Sequence, residues 1–298
     1  MTVTRLETSR RHKEMFRFQV LMSRVESLKN RYRKYTRSEP ARPCYSTHIE
    51  RIIPRVSNEK RSVVAERAVE PTGNRLLARL PPEEYERLRP HLRHVSFALG
   101  EVIYESGGRQ SYIYFPVTAI ISLLYQMENG SSAEMGVAGN DGLVGVALYM
   151  GGDSVPNRAV VQSAGAALRM KTKVLQDEFA RGGTFQRLLL RYTQALMTQM
   201  SQTAVCNRLH TIEQQLCRWL LLSHDRLDSD ELVMTQELIA NMLGVRREGV
   251  THAAGRLQEQ GLISYVRGRI TILDRRGLEA AVCECYRVVR DEYERLLG

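Results

Sequence analysis

Residues 235–261 read TQELIANMLGVRREGVTHAAGRLQEQG, and their pattern predicts two helices joined by a tight turn. Thr235 suits the N-cap of a first helix over 236–243, because its hydroxyl can accept a hydrogen bond from a first-turn amide. Gly244 suits the turn, because glycine adopts left-handed backbone conformations without a steric penalty. A second helix follows and ends at Gly261, a residue type that is common just after a helix. The segment therefore predicts a helix-turn-helix.

The spacing of three residues supports this interpretation. Ala240, Gly244 and Val250 stand at relative positions zero, four and ten. A helix-turn-helix needs a small residue where its helices approach, a residue that permits the turn, and an aliphatic residue that locks the second helix onto the first. The second helix is expected to run from about Arg246 to Gln260, and its early turns carry charged and polar side chains.

A short hairpin is predicted directly after these helices. Tyr265-Val266 and the apolar run 270–272 flank the tripeptide Arg267-Gly268-Arg269. Arginines at the tip of such a hairpin are suited to contact the phosphates of a nucleic acid. The C-terminal part of the chain thus predicts a winged helix-turn-helix.

Strands are predicted upstream, over residues 95–170, where glycines separate short apolar segments such as 102–104, 112–115 and 120–124. Short strands at this spacing are typical of an antiparallel barrel or jelly roll. The dipeptide Asn129-Gly130 predicts a type I′ hairpin turn.

A long helix is predicted between the strands and the helix-turn-helix. The stretch from about Thr184 to Arg208 has no Gly or Pro. A seven-residue repeat along it is typical of helices that pair with a second copy. The repeat predicts a dimer seam made of Leu189, Tyr192, Leu196, Gln199 and Thr203.

The positive charge of the chain is concentrated at its N-terminal end. Residues 1–70 hold 17 of the 43 Lys and Arg but 8 of the 33 Asp and Glu, so +9 of the net charge of +10 lies there. The net charge is therefore no evidence that the folded part binds nucleic acid. Residues 1–72 are expected to be a disordered basic extension, and an arm that contacts DNA phosphates is the alternative.

Beyond these patterns, the sequence resembles the Crp/Fnr family of bacterial transcription regulators. The resemblance rests on 234–264 and on the segments Leu99-Gly100-Glu101 and 112–116. It implies an α+β chain with an antiparallel β-barrel or jelly-roll sensor domain like those that bind cyclic nucleotides, a long dimerisation helix and a C-terminal winged helix-turn-helix. The expected parts are an extension (1–72), the sensor domain (73–172), the helical linker and dimerisation helix (173–210) and the DNA-binding domain (211–298).

The resemblance also assigns the expected DNA contacts. The family's base-reading positions fall on Arg247, Glu248 and His252. Arginine can donate two bonds to guanine and glutamate can accept one from cytosine, whereas histidine in place of the frequent arginine leaves one base preference open. The side chains expected to contact the DNA backbone are those of Thr235, Arg246, Thr251, Arg267 and Arg269.

A cyclic nucleotide is not expected as the effector. The pocket of the family's cyclic-nucleotide branch needs an acid after glycine for the ribose and a hydroxyl after arginine for the phosphate, whereas this chain has Gly145-Val146 and Arg158-Ala159. The candidate effector pocket therefore consists of Gly145, Arg158 and Ala159, with an unknown small molecule or no ligand as alternatives.

No metal or other cofactor is expected. Cys44 is the only cysteine upstream of the predicted sensor domain, too few for a family-type iron–sulfur cluster. Cys283-Glu284-Cys285 is spaced more tightly than a usual metal knuckle. Haem is left open, because His91 and His94 lie near the predicted strands.

The function predicted from these patterns is a dimeric, sequence-specific DNA-binding transcription regulator that acts on a pseudo-palindromic operator. Its expected partners are double-stranded DNA and a second copy, with RNA polymerase as a further candidate, and the expected location is the cytoplasm. The chain has no apolar run that would span a membrane and no catalytic motif, so no membrane partner and no enzymatic activity are expected. The alternative is a ligand-binding or protein-interaction dimer without DNA readout.

Overall fold

The computed structural model describes residues 73–298. The chain divides into two units, Met1–Arg61 and Ser62–Gly298, and every described residue lies in the second. The predicted basic extension, 1–72, lies outside the described residues. Among the described helices, none is long and apolar enough to cross a membrane.

Two short helices precede the sheets, α1 (Arg75–Ala78) and α2 (Pro82–Leu88), and a 3-10 turn (Arg89–His91) follows them. Asn74 fixes the first helix, because its side-chain oxygen accepts bonds from two first-turn amides. Its amide nitrogen donates to the carbonyl oxygens of Pro116 and Gly142, at 2.8 and 2.9 Å. One buried side chain therefore fastens α1 to the strands.

Seven antiparallel strands build the sensor domain in two sheets, with strand orders β1-β7-β3 and β2-β6-β4-β5. The apolar sides of both sheets contribute to one core. The prediction of an antiparallel barrel or jelly-roll domain is confirmed, and the two sheets are not joined into a closed barrel. The strands are β1 (Arg93–Phe97), β2 (Val102–Tyr104), β3 (Tyr112–Pro116), β4 (Ile120–Gln126), β5 (Ser132–Ala138), β6 (Arg158–Ser163) and β7 (Gly165–Lys171).

The hairpin between β4 and β5 forms where it was predicted, but its turn differs from the predicted type I′. Gly130 has a positive φ of 85°, whereas Asn129 does not have one. The amide of Gly130 donates to the carbonyl of Met127, and the Asn129 side chain accepts from the amide of Ser131. The loop thus follows the three-residue pattern, in which a type I turn is followed by a left-handed glycine.

Three helices lead from the sensor domain to the C-terminal domain: α3 (Thr172–Arg181), α4 (Gly183–Leu209) and α5 (Ile212–His224). The 27-residue helix α4 confirms the predicted long helix. Thr211 caps α5 in a capping box with Gln214, which marks a sharp boundary between the two helices.

The residues of the predicted dimer seam on α4 face the interior of this chain. Its side chains are buried within this chain, because strand β5 and the C-terminal helix cover that face of α4. For example, the Tyr192 hydroxyl donates to the carbonyl of Leu143 at 2.8 Å. These side chains are therefore unavailable to a second copy. The residues concerned are Leu189, Tyr192, Leu196, Gln199 and Thr203.

A different stripe of α4 is exposed, and it lies one residue further along the same repeat. Leu190 and Met197 are 50% and 61% exposed, and Ala204 and Val205 continue the stripe toward the end of the helix. We call these four residues the outer stripe.

The C-terminal domain consists of a three-stranded sheet of order β8-β10-β9 and four helices after α5. Helix α6 and helix α7 form the helix-turn-helix, and helix α9 packs against α4. The elements are β8 (Glu231–Val233), α6 (Gln236–Leu243), α7 (Arg247–Glu259), β9 (Ile263–Val266), β10 (Arg269–Ile272), α8 (Arg275–Ala281) and α9 (Glu284–Leu297).

Candidate nucleic-acid interface

The helix-turn-helix has the geometry that its sequence predicted. The Thr235 hydroxyl accepts a bond from the amide of Leu238 and caps α6. Gly244 takes a left-handed conformation with φ 67° and ψ 33°. Ala240 and Val250 are buried between the two helices. The small residue, the turn glycine and the aliphatic anchor therefore all occupy their expected places.

Helix α7 exposes its early polar face and buries the opposite one. Val250, Ala254 and Leu257 are at most 2% exposed. The early turns thus present a continuous polar surface on a helix whose other side is fixed in the core. The exposed residues of this surface are Arg246, Arg247, Glu248, Thr251 and His252.

Two contacts fix α7 against α5. Gly249 lies so close to Ile212 that a Cβ on the glycine would stand 2.7 Å from the isoleucine Cδ1. Arg256 forms an ion pair with Glu213. The exposed polar face of α7 is therefore held on a rigid base.

Thr251 already has a partner within the chain. Its hydroxyl lies 2.9 Å from Gln236 Oε1 and 3.1 Å from the carbonyl oxygen of Arg247. It can still accept a bond from outside, but phosphate oxygens offer no proton. To contact the DNA backbone, the Thr251 hydroxyl would therefore have to give up its hydrogen bond to Gln236 and donate to a phosphate oxygen.

The predicted wing is present. Arg267 and Gly268 connect β9 to β10 with φ angles of 50° and 80°, which is the type I′ pattern. Arg269 pairs with Glu231 on the neighbouring strand. Within the described part of the chain Arg267 has no carboxylate partner, so it is the more available of the two wing cations.

The three residues of the predicted effector pocket differ in what they could offer to a ligand. Gly145 and Ala159 are buried, and Ala159 is 0% exposed. The Arg158 side chain is 11% exposed, and its guanidinium pairs with Glu105 at 3.1 Å. Its Nε–H has no partner among the described residues. Arg158 is thus the only cation that this trio could offer to a ligand.

A separate cavity of about 420 Å³ opens where α1, a sensor loop and α9 meet. Arg75, Asp141, Arg226 and Tyr293 are among its lining residues. No pattern in the sequence pointed to this cavity, because its walls come from segments far apart in the chain.

A buried ion pair crosses from the sensor domain to the C-terminal domain within this cavity wall. Arg226, which follows α5, lies 2.7 Å from a carboxylate oxygen of Asp141, and its side chain is 3% exposed. The guanidinium also stands over the ring of Tyr293 in α9. Arg226 thus connects three parts of the chain, which are the sensor loop that holds Asp141, the segment after α5, and the last helix, α9.

A buried polar chain makes a second connection between the two domains. The Ser122 hydroxyl donates to Gln162 Oε1 at 2.8 Å, and Gln162 Nε2 donates to Ser223 in α5 at 2.8 Å. Glu134 contacts the same hydroxyl. Ser122 has one proton for two acceptors, so it donates to Glu134 when that carboxyl is charged, and it can donate to Gln162 when the carboxyl carries a proton and donates in turn. Burial, partly offset by the bond to Ser122, raises the pKa of Glu134 to about 7.

We expect Glu134 to make stability fall as the pH rises. In the unfolded chain the carboxyl loses its proton near its ordinary pKa of 4.5, whereas in the folded chain it keeps the proton up to about pH 7. Between these two pH values, each rise in pH therefore favours the unfolded state. The expected loss over that interval is on the order of 3 kcal/mol, even with the charges of Arg218 and Arg226 nearby. Urea unfolding below and above the interval measures it.

The control for this prediction is a pair of variants. Glu134→Gln should remove most of the pH-dependent loss, whereas Glu128→Gln, at an exposed position of the β4–β5 loop, should keep it. Equal pH profiles for Glu134→Gln and the unaltered protein would show that Glu134 does not titrate in this interval.

Comparison with known proteins adds a family match for the C-terminal domain. Residues 214–281 match the model of the Crp-like helix-turn-helix domain. This range contains α6, α7 and the wing. A search of the curated proteins found no match.

Solved structures share the fold over both domains. FixK2 from Bradyrhizobium japonicum is 18% identical with a TM-score of 0.54, covering 64% of this chain and 98% of its own. A putative Crp/Fnr-family regulator from Eubacterium rectale is 16% identical, with a TM-score of 0.54 and coverages of 70% and 98%. A CRP-family regulator from Thermus thermophilus is 19% identical, with a TM-score of 0.52 and coverages of 63% and 95%.

The match to a Crp-like helix-turn-helix identifies this chain as a DNA-binding transcription regulator. Its two-sheet sensor domain, long helix and C-terminal domain have the same fold as solved regulators of the Crp/Fnr family.

Proposed function

We propose that two copies of this protein bind one duplex and read a two-fold symmetric sequence, with Arg247, Glu248 and His252 contacting bases. The observation that carries the proposal is the exposed face of α7, whose charged side chains lie on the first turns while the opposite side is locked into the core. The N-terminal turns of a recognition helix are the part that enters the major groove.

The charges around α7 support separate roles for its neighbours. Arg246 lies just before the helix, and Arg267 is at the wing tip without a carboxylate partner among the described residues. Cations at such flanking positions suit phosphates, which position the protein without reading sequence. Thr235, Thr251 and Arg269 are proposed as weaker backbone contacts, because their polar groups already have partners within the chain.

The outer stripe of α4 is proposed as the dimer contact. It is an apolar surface on a long helix, with Leu190, Met197 and Ala204 seven residues apart, as paired helices require. A second copy is the occupant that the DNA-binding domain favours, because a two-fold dimer places two recognition helices one turn of DNA apart.

We expect Met197→Glu to weaken the dimer. Placing a charge against a second copy of itself should raise the dimer dissociation constant about 10- to 100-fold, with a parallel loss of DNA affinity. Sedimentation of the protein alone and of its complex with a short duplex measures the number of chains in each.

The matched control is Met150→Glu, because Met150 is 62% exposed but lies outside α4. It should leave both measurements unchanged. A dimer that survives Met197→Glu, or one chain per duplex in the unaltered protein, would contradict this interface.

The remaining features of the proposal concern regulation and location. Arg158 is proposed as the cation of an effector site with Gly145 and Ala159, and RNA polymerase as a further partner. The proposed location is the cytoplasm, where a regulator meets chromosomal DNA, and no catalytic activity is proposed.

A further inference from the structure

Four metal-ligating side chains from two distant parts of the chain meet at the junction of α4 and α9. Cys206 lies in the last turn of α4, and His210 follows that helix. Cys283 and Cys285 lie at the start of α9. Their ligand atoms all lie within 4.8 Å of one another. The three sulfurs are buried and the imidazole is partly buried.

This group changes the interpretation of Cys283-Glu284-Cys285. Alone, the two cysteines are too closely spaced for a usual metal knuckle. In the folded chain they meet a second pair, Cys206 in the last turn of α4 and His210, the residue that follows the helix. Three cysteines and one histidine form a ligand set found in structural zinc sites.

The Cys206–Cys283 and Cys285–His210 distances fit one small tetrahedral ion. With Zn–S about 2.3 Å and Zn–N about 2.05 Å, tetrahedral geometry places two sulfurs about 3.8 Å apart and a sulfur and a nitrogen about 3.6 Å apart. The Sγ atoms of Cys206 and Cys283 are 3.6 Å apart, and Cys285 Sγ lies 3.5 Å from His210 Nδ1. A disulfide would need about 2.05 Å.

The histidine is oriented for metal binding. Nδ1 of His210 faces the sulfurs, and its Nε2 lies 3.4 Å from a carboxylate oxygen of Glu284. A proton on Nε2 can therefore bond to Glu284 while Nδ1 keeps its lone pair. A carboxylate behind a ligating histidine is a regular feature of metal sites.

A buried cation next to the group supports a negatively charged centre. Arg218 is 4% exposed, and its charge acts on Cys206. It donates to the Thr203 hydroxyl at 3.1 Å, and among the described residues no carboxylate forms an ion pair with it. A divalent ion with three thiolates and a neutral imidazole carries one negative charge, which would partly balance Arg218.

We propose that Cys206, His210, Cys283 and Cys285 bind one Zn²⁺ ion per chain. Three thiols release their protons to solvent as the ion binds, and no electron is transferred. The site joins the end of the long helix to the start of the last helix, so the ion stabilises the connection between α4 and the DNA-binding domain. The inference does not depend on the proposed DNA site or dimer.

The test uses the full-length protein, stripped with chelator under reducing conditions and then reloaded with Zn²⁺ or Co²⁺. We expect about one Zn²⁺ per chain by elemental analysis. Co²⁺ should give the visible bands of a tetrahedral ion together with the near-ultraviolet charge-transfer absorption of cobalt–thiolate bonds. Zn²⁺ should also raise the melting temperature, because a folded-state ligand stabilises the fold.

The variants distinguish a ligand set from a reactive cysteine pair. Cys206→Ser and Cys285→Ser should lose the stoichiometric ion, and Glu284→Gln should keep it with an affinity about 10- to 100-fold lower. Cys217→Ala is the matched control, because Cys217 is buried and free but outside the group. It should bind Zn²⁺ as the unaltered protein does.

Three results would overturn the proposal. One is reloaded, reduced protein that holds no stoichiometric Zn²⁺ and gives no cobalt–thiolate absorption. Another is Zn²⁺ binding that persists unchanged in both Cys206→Ser and Cys285→Ser. A Cys206–Cys283 disulfide that forms in the presence of Zn²⁺ would also contradict it, because a disulfide consumes two of the ligands.

Discussion

Replacing Arg226 by alanine is expected to lower the free energy of unfolding by about 3–5 kcal/mol, because it leaves the Asp141 carboxylate without its buried partner. The side chain also covers the Tyr293 ring and donates to the carbonyl of Leu222. Trp219, the one tryptophan of the chain, is buried in α5, so its fluorescence reports urea unfolding close to the altered site.

Two further variants separate charge from packing at this site. Arg226→Met with Asp141→Asn removes both charges and keeps most of the volume, so it should recover part of the lost stability. Arg89→Ala, which breaks an exposed ion pair with Glu86, should have little effect. An Arg226→Ala protein as stable as the unaltered one would show that this pair does not hold the two domains together.

Replacing Arg247 by alanine is expected to cost about 1–3 kcal/mol on the cognate DNA site, an affinity loss of about 5- to 150-fold. The loss should be concentrated at one base position, because a bidentate arginine contact distinguishes guanine from the other bases. Binding to a panel of duplexes, each with one substituted base pair, measures both the size and the position of the effect.

Arg267→Ala supplies the contrast for this prediction. A wing arginine that contacts phosphate should weaken binding to all duplexes about equally and lower the slope of affinity against salt by about 1. If Arg247→Ala behaved in this uniform way, Arg247 would be a phosphate contact, and base reading would have to rest on Glu248 and His252.

The DNA-binding domain was predictable because its signals are local. Thr235 as a cap and Gly244 as a left-handed turn each depend on neighbours within a few residues, and the structure has both. The wing followed from the same kind of evidence, with two short apolar runs around Arg267-Gly268.

The dimer seam shows that periodicity alone does not identify which stripe of a helix is exposed. The sequence shows that α4 has apolar stripes, but which stripe is covered depends on β5 and α9, which approach from other parts of the chain. Gln199 is an example, because its side chain accepts a bond from the amide of Val137 and donates to the Tyr293 hydroxyl. The exposed stripe is therefore offset by one residue from the predicted one.

The buried polar groups could not be predicted for a related reason. Cys206 and Cys283 are 77 residues apart, and Arg226 and Asp141 are 85 apart, so no spacing rule connects them. The local signals for the cluster were a cysteine four residues before a histidine at a helix end and the pair Cys283-Glu284-Cys285, which was judged too tightly spaced.

The most direct test of the account is selection of bound DNA from a pool of random duplexes by the purified protein at physiological salt, with and without a small-molecule extract of cells. The account predicts recovery of a two-fold symmetric motif whose half-site centres are about 10 bp apart. Sequence-blind recovery under both conditions would contradict base reading by α7 and favour a dimer that binds ligands or proteins instead.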